Sequence, residues 1–224
     1  MTLDLLGNNV KADIEKNKRA AEARWSKIKD WTQFSNRVER HFLHAAEEAK
    51  ESDFFCSIYV SKQPDHKQIQ LFTGSHSTGD SKAIRNEFGQ KTGQKLIAES
   101  GGTLVVSQST LGDVAIILYP LKSENLSRIK DKIIWSVSPS PGAISSRMLD
   151  SAIRDFFVYL RVSSALLNES RYDRFKIAYL EFRASKYEGK GHFAKIIFSK
   201  RFWPAVVAFG TVVSIVSGLK SLAG

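Results

Sequence analysis

The chain has 224 residues, 42% hydrophobic and 25% charged, which suffices for one substantial core and excludes disorder throughout. Its formal net charge is +10, yet residues 171–224 alone carry ten Lys/Arg against three Asp/Glu, while the rest of the chain is nearly balanced. Basic groups gathered beside an apolar segment point to anionic lipid headgroups and away from nucleic acid, which is met by a basic face spread over a folded domain.

The first residues, MTLDLLGNNVKAD, have neither a basic n-region nor a long apolar h-region, so no secretory signal is expected there. Residues 9–51 are Pro-free and rich in Ala, Glu, Lys and Arg, with Asn8 or Asn9 placed to cap them, which predicts one long helix or two. Ile14, Ala21, Trp25, Ile28, Val38, Phe42, Ala45 and Ala49 fall close to three-and-four spacing, interrupted by Lys18 and Ser35. The expectation is a helix packed on the chain's own sheet, with a coiled coil as the alternative.

The period then changes. Residues 54–61, FFCSIYVS, and 67–74, KQIQLFTG, are strand-like runs separated by a Gln-Pro-Asp-His turn, hence a hairpin. Cys56, the single cysteine, excludes an intrachain disulfide, fits a reducing compartment and, among Phe54, Phe55, Ile58 and Val60, is expected to be buried. Residues 81–99 mix helix formers with Gly89 and Gly93 and predict a broken helix. Residues 101–110 and 112–121 meet around Gly112 as a second hairpin, and 132–138, KIIWSVS, supply a fifth strand. Such short connections require antiparallel pairing. After Pro-Ser-Pro-Gly-Ala, Leu149, Ile153, Phe156, Leu160 and Leu167 mark a helix starting near Ser145 or Ser146, and Tyr172, Phe175, Tyr179 and Phe182 mark another.

The fold class that follows is α+β: a mostly antiparallel sheet of about five strands with packed helices, a long N-terminal helix and one C-terminal transmembrane helix. In topology this order resembles small sensory and scaffold domains of the GAF, PAS or roadblock kind. The organisation reads as a helical segment over 1–52, an α+β domain over 53–187, a basic juxtamembrane linker over 188–201 and a transmembrane helix over 202–219.

Residues 202–219, FWPAVVAFGTVVSIVSGL, contain no ionisable side chain over eighteen positions. As a helix they would reach about 27 Å, near the lower limit for a hydrocarbon core of about 30 Å. Phe202 and Trp203 suit the interface, and Pro204 falls in a tolerated first turn. Gly210, Ser214 and Gly218 recur every fourth residue, the small-xxx-small pattern through which helices associate in lipid, so a homo-oligomer through this helix is expected. Lys190, Lys195, Lys200 and Arg201 crowd its N-terminal side, which places the bulk of the chain in the cytoplasm in a tail-anchored, single-pass arrangement.

Other patterns bear on chemistry. Residues 74–82, GSHSTGDSK, superficially match a phosphate-binding loop, but Asp80 stands where the phosphate-binding Lys is required, so an ordinary strand-to-helix connection is expected. His41 and His44, with Glu47 and Glu48 one turn on, lack a third histidine and the HExxH spacing. No Gly-x-Ser-x-Gly elbow occurs, no catalytic or metal-ligating constellation stands out, and no cofactor is expected. The stripe Tyr172, Phe175, Tyr179, Phe182, interleaved with Arg174, Lys176, Arg183 and Lys186, is expected first as core, second as an interfacial face on lipid, third as a base-stacking surface.

The function expected from these residues is a membrane-anchored cytoplasmic sensing or interaction module without enzyme activity, whose soluble domain binds a protein or small ligand. A sharper form is a membrane-disrupting effector, similar in organisation to the membrane-targeting effectors of bacterial defence and toxin systems. The alternative is a soluble nucleic-acid-associated protein whose apolar C-terminal helix docks on a partner subunit.

Overall fold

A computed structural model of the chain describes residues 2–124 and 130–188. It is an α+β domain. A helix α1 (Thr2–Glu51) precedes β1 (Ile58–Gln63) and β2 (Gln68–Thr73), which are followed by β3 (His76–Arg85), β4 (Lys91–Glu99), β5 (Thr103–Gln108), β6 (Val114–Tyr119) and β7 (Ile133–Ser138). Helices α2 (Ser146–Ser163) and α3 (Arg171–Glu188) close the described order. The main sheet is antiparallel throughout, in the order β1-β2-β5-β6-β7, and β3-β4 form a separate two-stranded sheet inserted between β2 and β5.

The expected sheet of about five strands and the long N-terminal helix are thus present. The broken helix expected over 81–99 is instead the β3-β4 hairpin. Its turn explains the correction: the Asn86 side-chain carbonyl accepts from the backbone N–H of Phe88 at 3.1 Å and of Gln90 at 2.9 Å, and Gly89 adopts φ +75°. Local turn chemistry and strand pairing override the helix propensity of the flanking Lys, Glu and Gln residues. Residues 76–82, expected in a loop leading to a helix, lie in β3 for the same reason.

Alternation sorts each strand of the main sheet. Ile69, Leu71, Leu104, Val106, Ile116 and Leu118 point to one face and are fully buried there. α1 covers that face through Trp31, Phe34, Val38, Phe42 and Ala45, and α2 through Leu149, Ala152, Phe156 and Leu160. Of the two serines expected near its start, Ser145 caps α2 by accepting from the Met148 N–H. Leu167 lies beyond the end of α2 and does not continue its buried stripe.

The N-terminal part of α1 does not pack on the domain. Val10, Ile14 and Trp25 are exposed, so the Ile14–Ala21–Trp25 portion of the expected stripe has no cover among the described residues, while Val38, Phe42, Ala45 and Ala49 are buried as expected. The transition lies where α1 crosses the β5-β6 turn. There Arg24 Nε donates to the Thr110 carbonyl at 2.8 Å, Gln108 Nε2 donates to the Lys27 carbonyl at 2.9 Å, and Lys27 Nζ approaches Asp113 Oδ1 at 3.9 Å.

The opposite face of the main sheet carries its own small cluster of Val105, Ala115 and Ile117, with Tyr119 and Val137 partly buried beside it. Among the described residues no apolar side chain of α1, α2 or α3 belongs to that cluster.

Candidate functional site

α3 carries two apolar stripes, and the structure turns the aliphatic one inward. Ile177, Leu180 and Ala184 are buried against the core. Tyr172, Phe175, Tyr179 and Phe182 face outward, with 71%, 71%, 55% and 66% of their surface exposed, which overturns the expectation that this stripe is core. Both stripes obey the helical period, so spacing alone does not choose between them. Ile177, Leu180 and Ala184 join the core where α3 meets β7 and α2, and the larger rings are left outside.

Of the interleaved cations, Arg174, Lys176 and Arg183 are held in different ways. Lys176 Nζ reaches Asp155 Oδ1 at 2.6 Å, and the other oxygen of that buried carboxylate accepts from Trp135 Nε1 at 2.7 Å. Asp155 of α2 therefore joins β7 to α3. Arg183 donates to the Trp135 carbonyl at 2.8 Å with its guanidinium 5.0 Å from the Trp135 ring centre. Arg174 pairs with Glu169 at 2.5 Å, and Arg161 pairs with Asp173 at 3.1 Å, holding the Asp173 carboxyl below the usual carboxylate range. With Lys176 and Arg183 committed to inward contacts, the outer face of α3 is chiefly aromatic.

A second constellation is buried at the root of the β3-β4 hairpin. Glu99, at the end of β4, is fully enclosed; its carboxylate accepts from Ser164 Oγ at 2.8 Å, accepts from the Ala165 N–H, and lies 3.1 Å from His76 Nε2. Ser164 is the C-cap of α2, so Glu99 ties the hairpin to the end of that helix. Cys56 is buried nearby, its thiol pushed up to about 12 by burial and, second, by the Glu99 charge. A nucleophile-base-orienter triad needs the imidazole between hydroxyl and carboxylate. Here the carboxylate sits between Ser164 and His76, the order of a structural staple. His76 Nδ1 is enclosed without a hydrogen-bond partner.

The sequence did not single out Glu99 or Ser164, which are far apart in the chain and meet only through the path of β4 and α2. The available signal was a carboxylate closing the short apolar run Leu96–Ile97–Ala98, where a solvated strand end is the ordinary reading. His41, considered with His44, instead bonds Asp150 of α2 through Nδ1 at 2.8 Å, and His44 lies 3.5 Å from Glu48. Among the described residues no group of three or more His, Cys, Asp or Glu gathers as a metal site, and no helix is long and apolar enough to cross a membrane. The anchor residues Phe202, Trp203, Pro204, Gly210, Ser214 and Gly218 and the basic Lys190, Lys195, Lys200 and Arg201 lie outside the described residues.

Comparison of the chain with protein-family models, with curated proteins and with solved structures finds no significant match.

Proposed function

We propose that this chain is a membrane-tethered interaction module, in which residues 202–219 enter the bilayer and the α+β domain stays at its cytoplasmic surface. The observation that carries the reading is the outward aromatic face of α3, exposed on the last described helix before a segment crowded with Lys and Arg. Tyr rings suit the headgroup boundary, with an apolar body and a polar hydroxyl, and Phe rings on the same helix face supply apolar surface to the acyl chains beneath it. Each of Lys190, Lys195, Lys200 and Arg201 adds about 1 kcal/mol of attraction when close to an anionic leaflet. Gly210, Ser214 and Gly218 provide the surface for association of the inserted helices into a homo-oligomer. Clustering of those faces is also how the module would act as a membrane-disrupting effector.

The test is fractionation of cells expressing the full chain and its Val207→Lys/Val213→Lys variant. A charge at the centre of a spanning helix costs about 2.5–3.5 kcal/mol on insertion scales. The parent should stay with membranes after carbonate extraction and the variant should leave them. Equal extraction of both would refute the anchor.

A further inference from the structure

The face of the main sheet turned away from the helices is built to be covered. Pairing across the sheet places Gln70, Val105 and Ile117 in one row and Gln68, Ser107 and Ala115 in the next. The outward-alternating positions of β1, β2, β5 and β6 on this face are Tyr, Ser, Gln, Phe, Thr, Val, Ala and Ile, with no Asp, Glu, Lys or Arg among them. A sheet face bathed by water ordinarily alternates to charged and polar side chains. Here Val105, Ala115 and Ile117 are only 3%, 3% and 4% exposed, although none of the described helices contributes an apolar side chain to their cluster. Gln68 and Gln70 are 2% and 7% exposed, and their side-chain Nε2 groups are buried without an acceptor. Lipid tails would leave those amide donors unmet at a cost of about 1–3 kcal/mol each, so a bilayer is the wrong cover for this face.

We infer that this uncharged sheet face is the seat of the chain's own apolar segment, residues 202–219, when that segment is not in a membrane. α3 ends at Glu188 against the β7 side of the domain, and 36 residues follow it. Residues 189–201 can span up to about 40 Å when extended, more than the roughly 10 Å needed to round the edge of a sheet layer. An eighteen-residue helix of about 27 Å matches a five-stranded sheet about 20 Å wide. Gly210, Ser214 and Gly218 permit close approach, and the Thr211 and Ser214 hydroxyls are acceptors of the kind the Gln68 and Gln70 amides lack. A tether this short holds the segment at an effective concentration in the millimolar range, which favours it over a separate chain. The inference uses the apolar character of 202–219 and does not depend on its insertion into lipid; with the proposed function, it makes the anchor a stowed one.

The test is photocrosslinking of the full chain in detergent-free buffer. In a Cys56→Ala background, Ser107→Cys and, separately, Gln63→Cys carry a benzophenone maleimide, and the two sites guard against one label disturbing the sheet. Irradiation should give a monomer-sized product with peptides from 202–219 joined to the labelled strand. Adducts only at dimer size would assign the face to a second copy of the chain, and adducts without 202–219 at both sites would remove the segment from it; either overturns the inference. Anionic vesicles should then lower the intrachain yield at least five-fold. An unchanged yield with no vesicle binding counts against the membrane reading and leaves the seat intact.

Discussion

Glu99 shows how much a single side chain can hold in this domain. A fully buried carboxylate is tolerated because three groups from β3, the α2 cap and the following loop converge on it. Glu99→Ala strands those partners, and we expect a loss of about 3 kcal/mol in denaturant unfolding, with Glu99→Gln losing less. Cys56 gives a sharper readout. Its folded pKa lies above the ordinary 9.0, near 12, and that of Tyr119 is raised by burial from 10.0 to about 12. Both groups hold their protons more tightly when folded, so their contribution is complete below pH 9 and is lost as pH rises toward 12. Stability should therefore fall across that window, less steeply in Cys56→Ala. Cys56 in the native chain should also resist iodoacetamide at pH 8, where the unfolded chain is alkylated.

At the scale of elements, the β5-β6 turn fixes where α1 leaves the sheet. Gly112 has φ +88°, and a Cβ there would lie 2.7 Å from Lys27 Cβ. Gly112→Ala should cost about 1–2 kcal/mol, read as a lower denaturation midpoint, because backbone conformation and helix contact both oppose it. The aromatic face of α3 is tested by placing an environment-sensitive fluorophore on Tyr179→Cys in the Cys56→Ala background. Its emission should rise with anionic vesicles, while the same dye on Arg147→Cys of α2 should not respond. The elements also show what periodicity reveals. The β1-β2 and β5-β6 hairpins were legible because strand-like apolar runs flank Pro, Gly and Asp, and α2 because Ser145 and Ser146 precede an apolar stripe of helical spacing. The β3-β4 strands were not, since their exposed Lys, Glu and Gln residues carry no apolar alternation and are good helix formers. α3 itself was legible but its orientation was not: two apolar stripes share one helix, and only tertiary packing shows that Ile177, Leu180 and Ala184 face inward.

For the molecule as a whole, the described domain offers two surfaces that water alone does not explain, the aromatic face of α3 and the uncharged face of the sheet. The sequence contains one further segment, 202–219, that suits both a bilayer and that sheet face. A chain able to stow its anchor can remain dispersed without detergent and still bind membranes, so solubility by itself does not decide the function. The Glu99 site shows the same limit of sequence reading at a smaller scale, because its partners are brought together only by tertiary structure. The most direct measurement is flotation of the purified full chain with anionic vesicles on a density gradient, followed by carbonate washing of the floated fraction. The chain should rise with the vesicles and resist the wash; a chain that stays at the bottom of the gradient would contradict the account of a membrane-tethered module.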